Sequence, residues 1–543
     1  MADSSEAARF KAEGNTLFQK QQFAAAYEKY TQAIKHDNQN AILFSNRAAC
    51  SLGLGRYLEA HTDATQATKL DSTYAKAWAR LASACAGLGK VEETINMWKR
   101  ALAALPIENL SSAEQKQKEQ YTSELAAAVM RKGKGNSPTS GGPVHMRGLK
   151  GEDKPWNRAA AMVPSLYSSK TWNSSAWVIT HAYQEWATGV EMMKQLRSMA
   201  TPAGMGYFGN FGTIMTLSNA LISDTRAFVI TEQDFFDRYN KQMLFEVSKA
   251  RPWTDGGSRL VMEEAPKRLA RAGWDDVRPA LALTVRGWIM RAFIQEHLSQ
   301  DGTKVALDFY TSALEVLQWG NVQWKDVSPE DKGATFKDSF VRGVKVLRLD
   351  AFLHAYTENP GPASKYPLSE VLAGAQDLMN EVAPIADDPP TDESYYSFHL
   401  SFVRYPLAKA HSAVGFYHQH AARNIRDAKG AVSEVVEHFK AAAKAYTQSA
   451  EIYPEDDEAH VSCLHCALDA LLEAGSPARE VIALMDRIHE AIPVMKRIWE
   501  YSADSVSGRD KVLASDMDLR DRLLRHMQDG SLLAEDAVSR KYL

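Results

Sequence analysis

The stretch AKAWARLASACAGLGKVEETINMWKRALAALP, residues 75–106, decides the fold. Shifted back by 34 residues it matches the unit that starts near residue 41, and shifted again the unit that starts near residue 7. Small residues recur at position 8 of each unit as Gly14, Ala48 and Ala82, and at position 27 as Ala33, Ala67 and Ala101. Such residues let the backbones of two neighbouring helices approach closely. Bulky residues fill position 4 as Phe10, Phe44 and Trp78, and position 24 carries Tyr30, Ala64 and Trp98. Pro106 stops the last helix, because it lacks the amide hydrogen that the next turn needs. A unit of two antiparallel helices cannot bury its apolar face alone, so stacking three of them creates the core.

Working outward, Ser111-Ser112-Ala113-Glu114 reads as a capping box that starts a seventh, polar helix running to about Met130 and covering the last unit. Lys132-Gly133-Lys134-Gly135-Asn136-Ser137-Pro138 and the Thr-Ser-Gly-Gly-Pro that follows can build neither helix nor strand, which makes this the clearest boundary in the chain. The period and the small and bulky positions resemble the tetratricopeptide repeat, with departures at Ala64 and at Thr94, where that family usually has Ala. The resemblance implies a superhelix whose first helices line a concave groove.

Repeat positions 2, 5, 6 and 9 share one stripe of those first helices, at i, i+3, i+4 and i+7 spacing. They carry Lys11 and Asn15 in the first unit, Asn46 in the second, and Lys76 and Arg80 in the third. Three cations and two amides on one face repel and desolvate one another unless an anion joins them. A C-terminal Asp, with two carboxylates a few ångströms apart, has the matching chemistry: Lys supplies point charge, Arg a planar fork, Asn an amide donor. The five residues resemble, one for one, the dicarboxylate clamp of co-chaperone tetratricopeptide domains. That resemblance covers residues 7–130. It implies binding of the Glu-Glu-Val-Asp tail of heat-shock protein 70 and/or 90, with the small Ala49 and Ser83 leaving room for the ligand's upstream side chains.

Beyond the linker, set at residues 132–165, the chain keeps helical patterning without sustained two-residue alternation, so the fold is expected to be all-α. Ala306, Tyr310 and Ala313, and Ala442, Tyr446, Ser449 and Pro454, repeat the steps of a second repeat helix. They predict a large α-solenoid-like domain of degenerate repeats over residues 166–500, interrupted by a loop at Asp387–Asp392, and a C-terminal helical tail over 501–543. Gly204, Gly206 and Gly209 match a dinucleotide fingerprint, but no strand precedes them, and a Gly-rich loop between two helices is expected. Cys463, His465 and Cys466 with His418 and His420 make a weak zinc pattern on helices, better read as core thiols.

The chain has 543 residues, enough for roughly three or four domains. Its 63 Lys and Arg stand against 67 Asp and Glu, so bulk positive charge does not recruit nucleic acid and any anion site must be local. Four cysteines are too few for a disulfide framework, and no apolar run reaches a membrane span or signal peptide, so a cytoplasmic location is expected. No catalytic motif, cofactor or metal set stands out. The expectation is a non-enzymatic adaptor of 1–131 as clamp and 166–500 as the contact to an unknown second protein. The alternatives are an enzyme with an unrecognised site in the helical domain, or a scaffold for a different acidic C-terminus.

Overall fold

A computed structural model describes residues 2–134, 151–201, 204–299, 302–386 and 395–538. Seven helices open the chain: α1 (Ala2–Gln19), α2 (Phe23–His36), α3 (Ala41–Gly53), α4 (Tyr57–Leu70), α5 (Ala75–Gly87), α6 (Val91–Ala103) and α7 (Ser112–Lys134). They pair as the period requires, with the small residues at the crossings. A Cβ on Gly14 would stand 2.9 Å from the ring of Tyr30, so only glycine admits that tyrosine. Ala48 packs with Ala64, and Ala82 and Ala101 pack with Trp98, all buried. The Ala at position 64 is therefore accommodated by Leu81 and Cys85 rather than by an aromatic of its own. The turns within the units follow the period as well: Gly55 and Gly89 have φ of +73° and +70°, and the first unit places Gln21 there at φ +58°. The capping box forms as read: the Ser111 amide donates to Glu114 Oε2 (2.8 Å) and the Glu114 amide to Ser111 Oγ (3.3 Å).

The chain divides into two compact units, residues 1–139 with 247–336, and residues 140–246 with 337–543. This cuts across the boundaries read from the sequence, because 247–336 packs with the N-terminal repeats. The reason lies in helix ends. The Leu58 amide at the start of α4 donates to Asp308 Oδ2 (2.9 Å), since Arg56 at the cap position offers no acceptor. The Arg259 amide at the start of helix Ser258–Ala272 donates in turn to Glu59 Oε1 of α4 (2.9 Å). Arg259 also pairs with Asp63 (2.6 Å), which holds the buried Arg47 by two bonds of 2.8 Å. Ala306, Tyr310 and Ala313, buried as expected of a repeat helix, thus serve this first unit.

In the second unit the linker expected to reach residue 165 ends sooner. Pro155–Ser168 is a helix, with Pro155 in its first turn and Trp156 buried and stacked on Tyr183. Residues 135–150 and 387–394 lie outside the described residues, and with them the loop expected at Asp387–Asp392. The Gly-rich segment is not a loop: β1 (Arg197–Thr201) pairs antiparallel with β2 (Gly204–Phe208), Met199 opposite Gly206. Among the described residues this two-stranded hairpin pairs with no further strand, so it is also not a dinucleotide fold. The degenerate repeat at Ala442, Tyr446 and Ser449 is buried, and Tyr446 lies on Gly415 just as Tyr30 lies on Gly14. No described helix is long and apolar enough to cross a membrane.

Candidate peptide-binding site

Asn15, Asn46 and Arg80 come from α1, α3 and α5, and they converge. Arg80 donates to Asn46 Oδ1 (3.2 Å) and to Ser45 Oγ (2.5 Å). Asn46 Nδ2 lies 3.4 Å from Asn15 Oδ1, which accepts from the Tyr30 hydroxyl at 2.7 Å. They line a cavity of about 180 Å³ together with Phe18, Gln19, Tyr30 and Ala49. Burial, the leading influence, pulls the Arg80 guanidinium below its ordinary value and pushes the Tyr30 hydroxyl up to about 12. Both groups keep their protons at neutral pH, so the cavity presents donors and one positive charge.

Lys11, Lys76 and Ser83 stand on the same helices but outside the cavity lining. Lys76 is exposed, Lys11 and Ser83 are half-buried, and Ser83 bonds back to the Ala79 carbonyl (3.1 Å). Neither lysine forms an ion pair with another described residue. The sequence reading missed Phe18, Gln19 and Tyr30. Phe18 and Gln19 follow Asn15 by three and four residues, so extending the groove stripe by one turn of α1 finds them. Tyr30 was placed only as a packing residue, yet its hydroxyl holds Asn15.

The zinc pattern at the other end does not assemble. Cys463 is buried with its sulfur 3.3 Å from Ser449 Oγ, His465 pairs with Asp516 (2.8 Å), and His418 pairs with His438 (2.9 Å).

No known protein-family profile matches the chain. The heat shock protein sti1 homolog of Schizosaccharomyces pombe is 44% identical over 59 residues, 11% of this chain and 10% of that protein. Translocon at the outer membrane of chloroplasts 64 of Pisum sativum is 39% identical over 110 residues, 20% of this chain and 18% of that one. The second TPR domain of human RPAP3, solved with the HSP70 peptide SGPTIEEVD, aligns at 33% identity over 23% of this chain and 98% of that domain, with a TM-score of 0.21. The chain spans only 10% and 18% of the two curated relatives. Its N-terminal segment resembles the tetratricopeptide clamp domains of co-chaperones, and every described element but the hairpin is helical.

Proposed function

We propose that the groove of α1, α3 and α5 binds the C-terminal Glu-Glu-Val-Asp type tail of heat-shock protein 70 and/or 90, and that the chain is a cytoplasmic, non-enzymatic adaptor. One observation carries this reading: Arg80, half-buried in the cavity, has no carboxylate partner among the described residues. Arg47 and Arg259 in the same unit each have one. A guanidinium held by neutral acceptors at the floor of a cavity is poised for an incoming carboxylate. Asn15 and Asn46 would grip the terminal carboxylate, Lys11 and Lys76 would supply charge at the rim, and Ala49 and Ser83 would leave space upstream. The test is fluorescence anisotropy with a labelled peptide ending in Glu-Glu-Val-Asp. Arg80→Ala or Lys76→Ala each weakens binding by about 1.5 kcal/mol or more, the scale of a charge-assisted hydrogen bond. Unchanged affinity for both variants sinks the assignment.

The second unit, in this reading, engages another protein. Its hairpin region leaves Met199, Met205, Phe208 and Phe211 each about half exposed, an apolar surface of the kind that marks association. An enzymatic alternative needs reactive groups open to substrate. Two of the buried carboxylates of this unit, Asp457 and Glu458, are instead held by Arg226, Tyr405, Arg509 and Ser502.

A further inference from the structure

A second cluster in the first unit lies outside the cavity lining. His61 of α4, Cys85 of α5 and Glu93 of α6 bring one nitrogen, one sulfur and one oxygen within 4.8 Å of one another. The Cys85 sulfur is 4.0 Å from Glu93 Oε2, and no disulfide engages it. The Asp255 backbone, in the segment that packs on these helices, faces the His61 ring and opposes the burial that lowers its proton affinity. That is the arrangement by which an outer carbonyl fixes the tautomer and aim of a metal-binding imidazole. Lys90 bridges Glu93 Oε2 (3.1 Å) and Asp255 Oδ1 (2.7 Å), so an ion at the cluster takes the place of that ammonium on Glu93. Cys85 is buried while Glu93 is exposed, so the cluster has a closed floor and an open mouth.

We propose that His61, Cys85 and Glu93 form a zinc site that clips α4, α5 and α6 together. The donor set argues for the metal: thiolate with imidazole selects zinc over magnesium or calcium, which take oxygen. Tetrahedral zinc with bonds of about 2.0–2.3 Å sets its ligand atoms about 3.3–3.7 Å apart, so the cluster closes by at most about 1.5 Å. Three protein donors leave the fourth position to water. On binding, the thiol proton leaves to solvent, and thiolate and carboxylate together neutralise the dication. Lys90 and Asp255 remain an ion pair in the outer shell. Residue spacing does not announce this cluster, because the three residues fall on three helices without the close Cys/His pairs that mark a zinc site.

The experiment uses the full chain stripped of metal. It is titrated with zinc against a chromophoric chelator, and with cobalt to read the sulfur-to-metal charge-transfer band. The expected result is one ion per chain at micromolar affinity or better, weakened at least about tenfold in His61→Gln and in Glu93→Gln. The cobalt band is expected to be lost in Cys85→Ser and kept in Cys466→Ser. Glu93 is exposed, so its variant reports on binding even if Cys85→Ser does not fold. Absence of stoichiometric zinc, an affinity unmoved by Glu93→Gln, or a band lost in Cys466→Ser and kept in Cys85→Ser would overturn the proposal.

Discussion

Two helical hairpins in this chain are built on one device and put to different ends. In α1 and α2 the ring of Tyr30 rests on Gly14, and in the helices Tyr405–Asp427 and Val432–Ile452 the ring of Tyr446 rests on Gly415. The difference lies in the hydroxyls and the charges around them. Tyr30 holds Asn15 at a cavity whose guanidinium, Arg80, lacks a carboxylate. Tyr446 bonds to the buried Gln419 (3.1 Å), and the second unit answers its charges internally. There Arg226 binds Asp224 and Asp457 and stacks on Trp499 at 3.9 Å, while Arg509 binds Glu458 at 2.7 Å. The same scaffold thus leaves donors without a protein anion at the cavity where we propose binding, and makes a structural clasp where carboxylates answer them.

The largest expected effect breaks the clasp. Arg226→Ala strands Asp224 and Asp457 in the interior and destabilises the second unit by about 3–5 kcal/mol in urea unfolding, with peptide affinity unchanged. Loss of affinity without loss of stability would reverse the roles assigned to the two regions.

Next comes a pH effect in the first unit. Burial pushes the Asp308 carboxyl up to about 7, against the pull of the Leu58 amide and with Glu59 adding repulsion. The folded chain then holds that proton more tightly than the unfolded chain, so stability falls as pH rises from about 4 to about 7. The change is on the order of 2–4 kcal/mol for a shift of this size. Asp308→Asn keeps an acceptor for Leu58 and should flatten that slope in unfolding experiments across the window. An unchanged slope would remove Asp308 as its source.

A smaller effect sharpens the repeat itself. Gln21 occupies the left-handed position that Gly55 and Gly89 hold in the other units. Gln21→Gly should stabilise by about 0.5–1 kcal/mol, read as a small rise in unfolding midpoint. Destabilisation would mean that the side chain of Gln21 matters more than its backbone.

These contrasts also explain what was legible in the sequence. The seven-helix superhelix was, because its period of 34 repeats its small residues at fixed positions and its caps use local side chains such as Ser111 and Glu114. Of the stripe at helical spacing, Asn15, Asn46 and Arg80 meet at the cavity, whereas Lys11 and Lys76 stand outside its lining, which spacing along a helix does not reveal. The packing of residues 247–336 on α4 was not: Asp308 caps a helix start 250 residues away, and periodicity carries no record of such a contact. The hairpin escaped because Met199, Met205 and Phe208 are all exposed, so no buried face imposes alternation.

The most direct test of the central claim is calorimetric titration of the full chain with a peptide ending in Met-Glu-Glu-Val-Asp, beside the same peptide with its terminal carboxylate amidated. Binding on the micromolar scale that the amide abolishes is the result predicted by a cavity built around Arg80, Asn15 and Asn46. Equal binding of both peptides, or binding of neither, would contradict it.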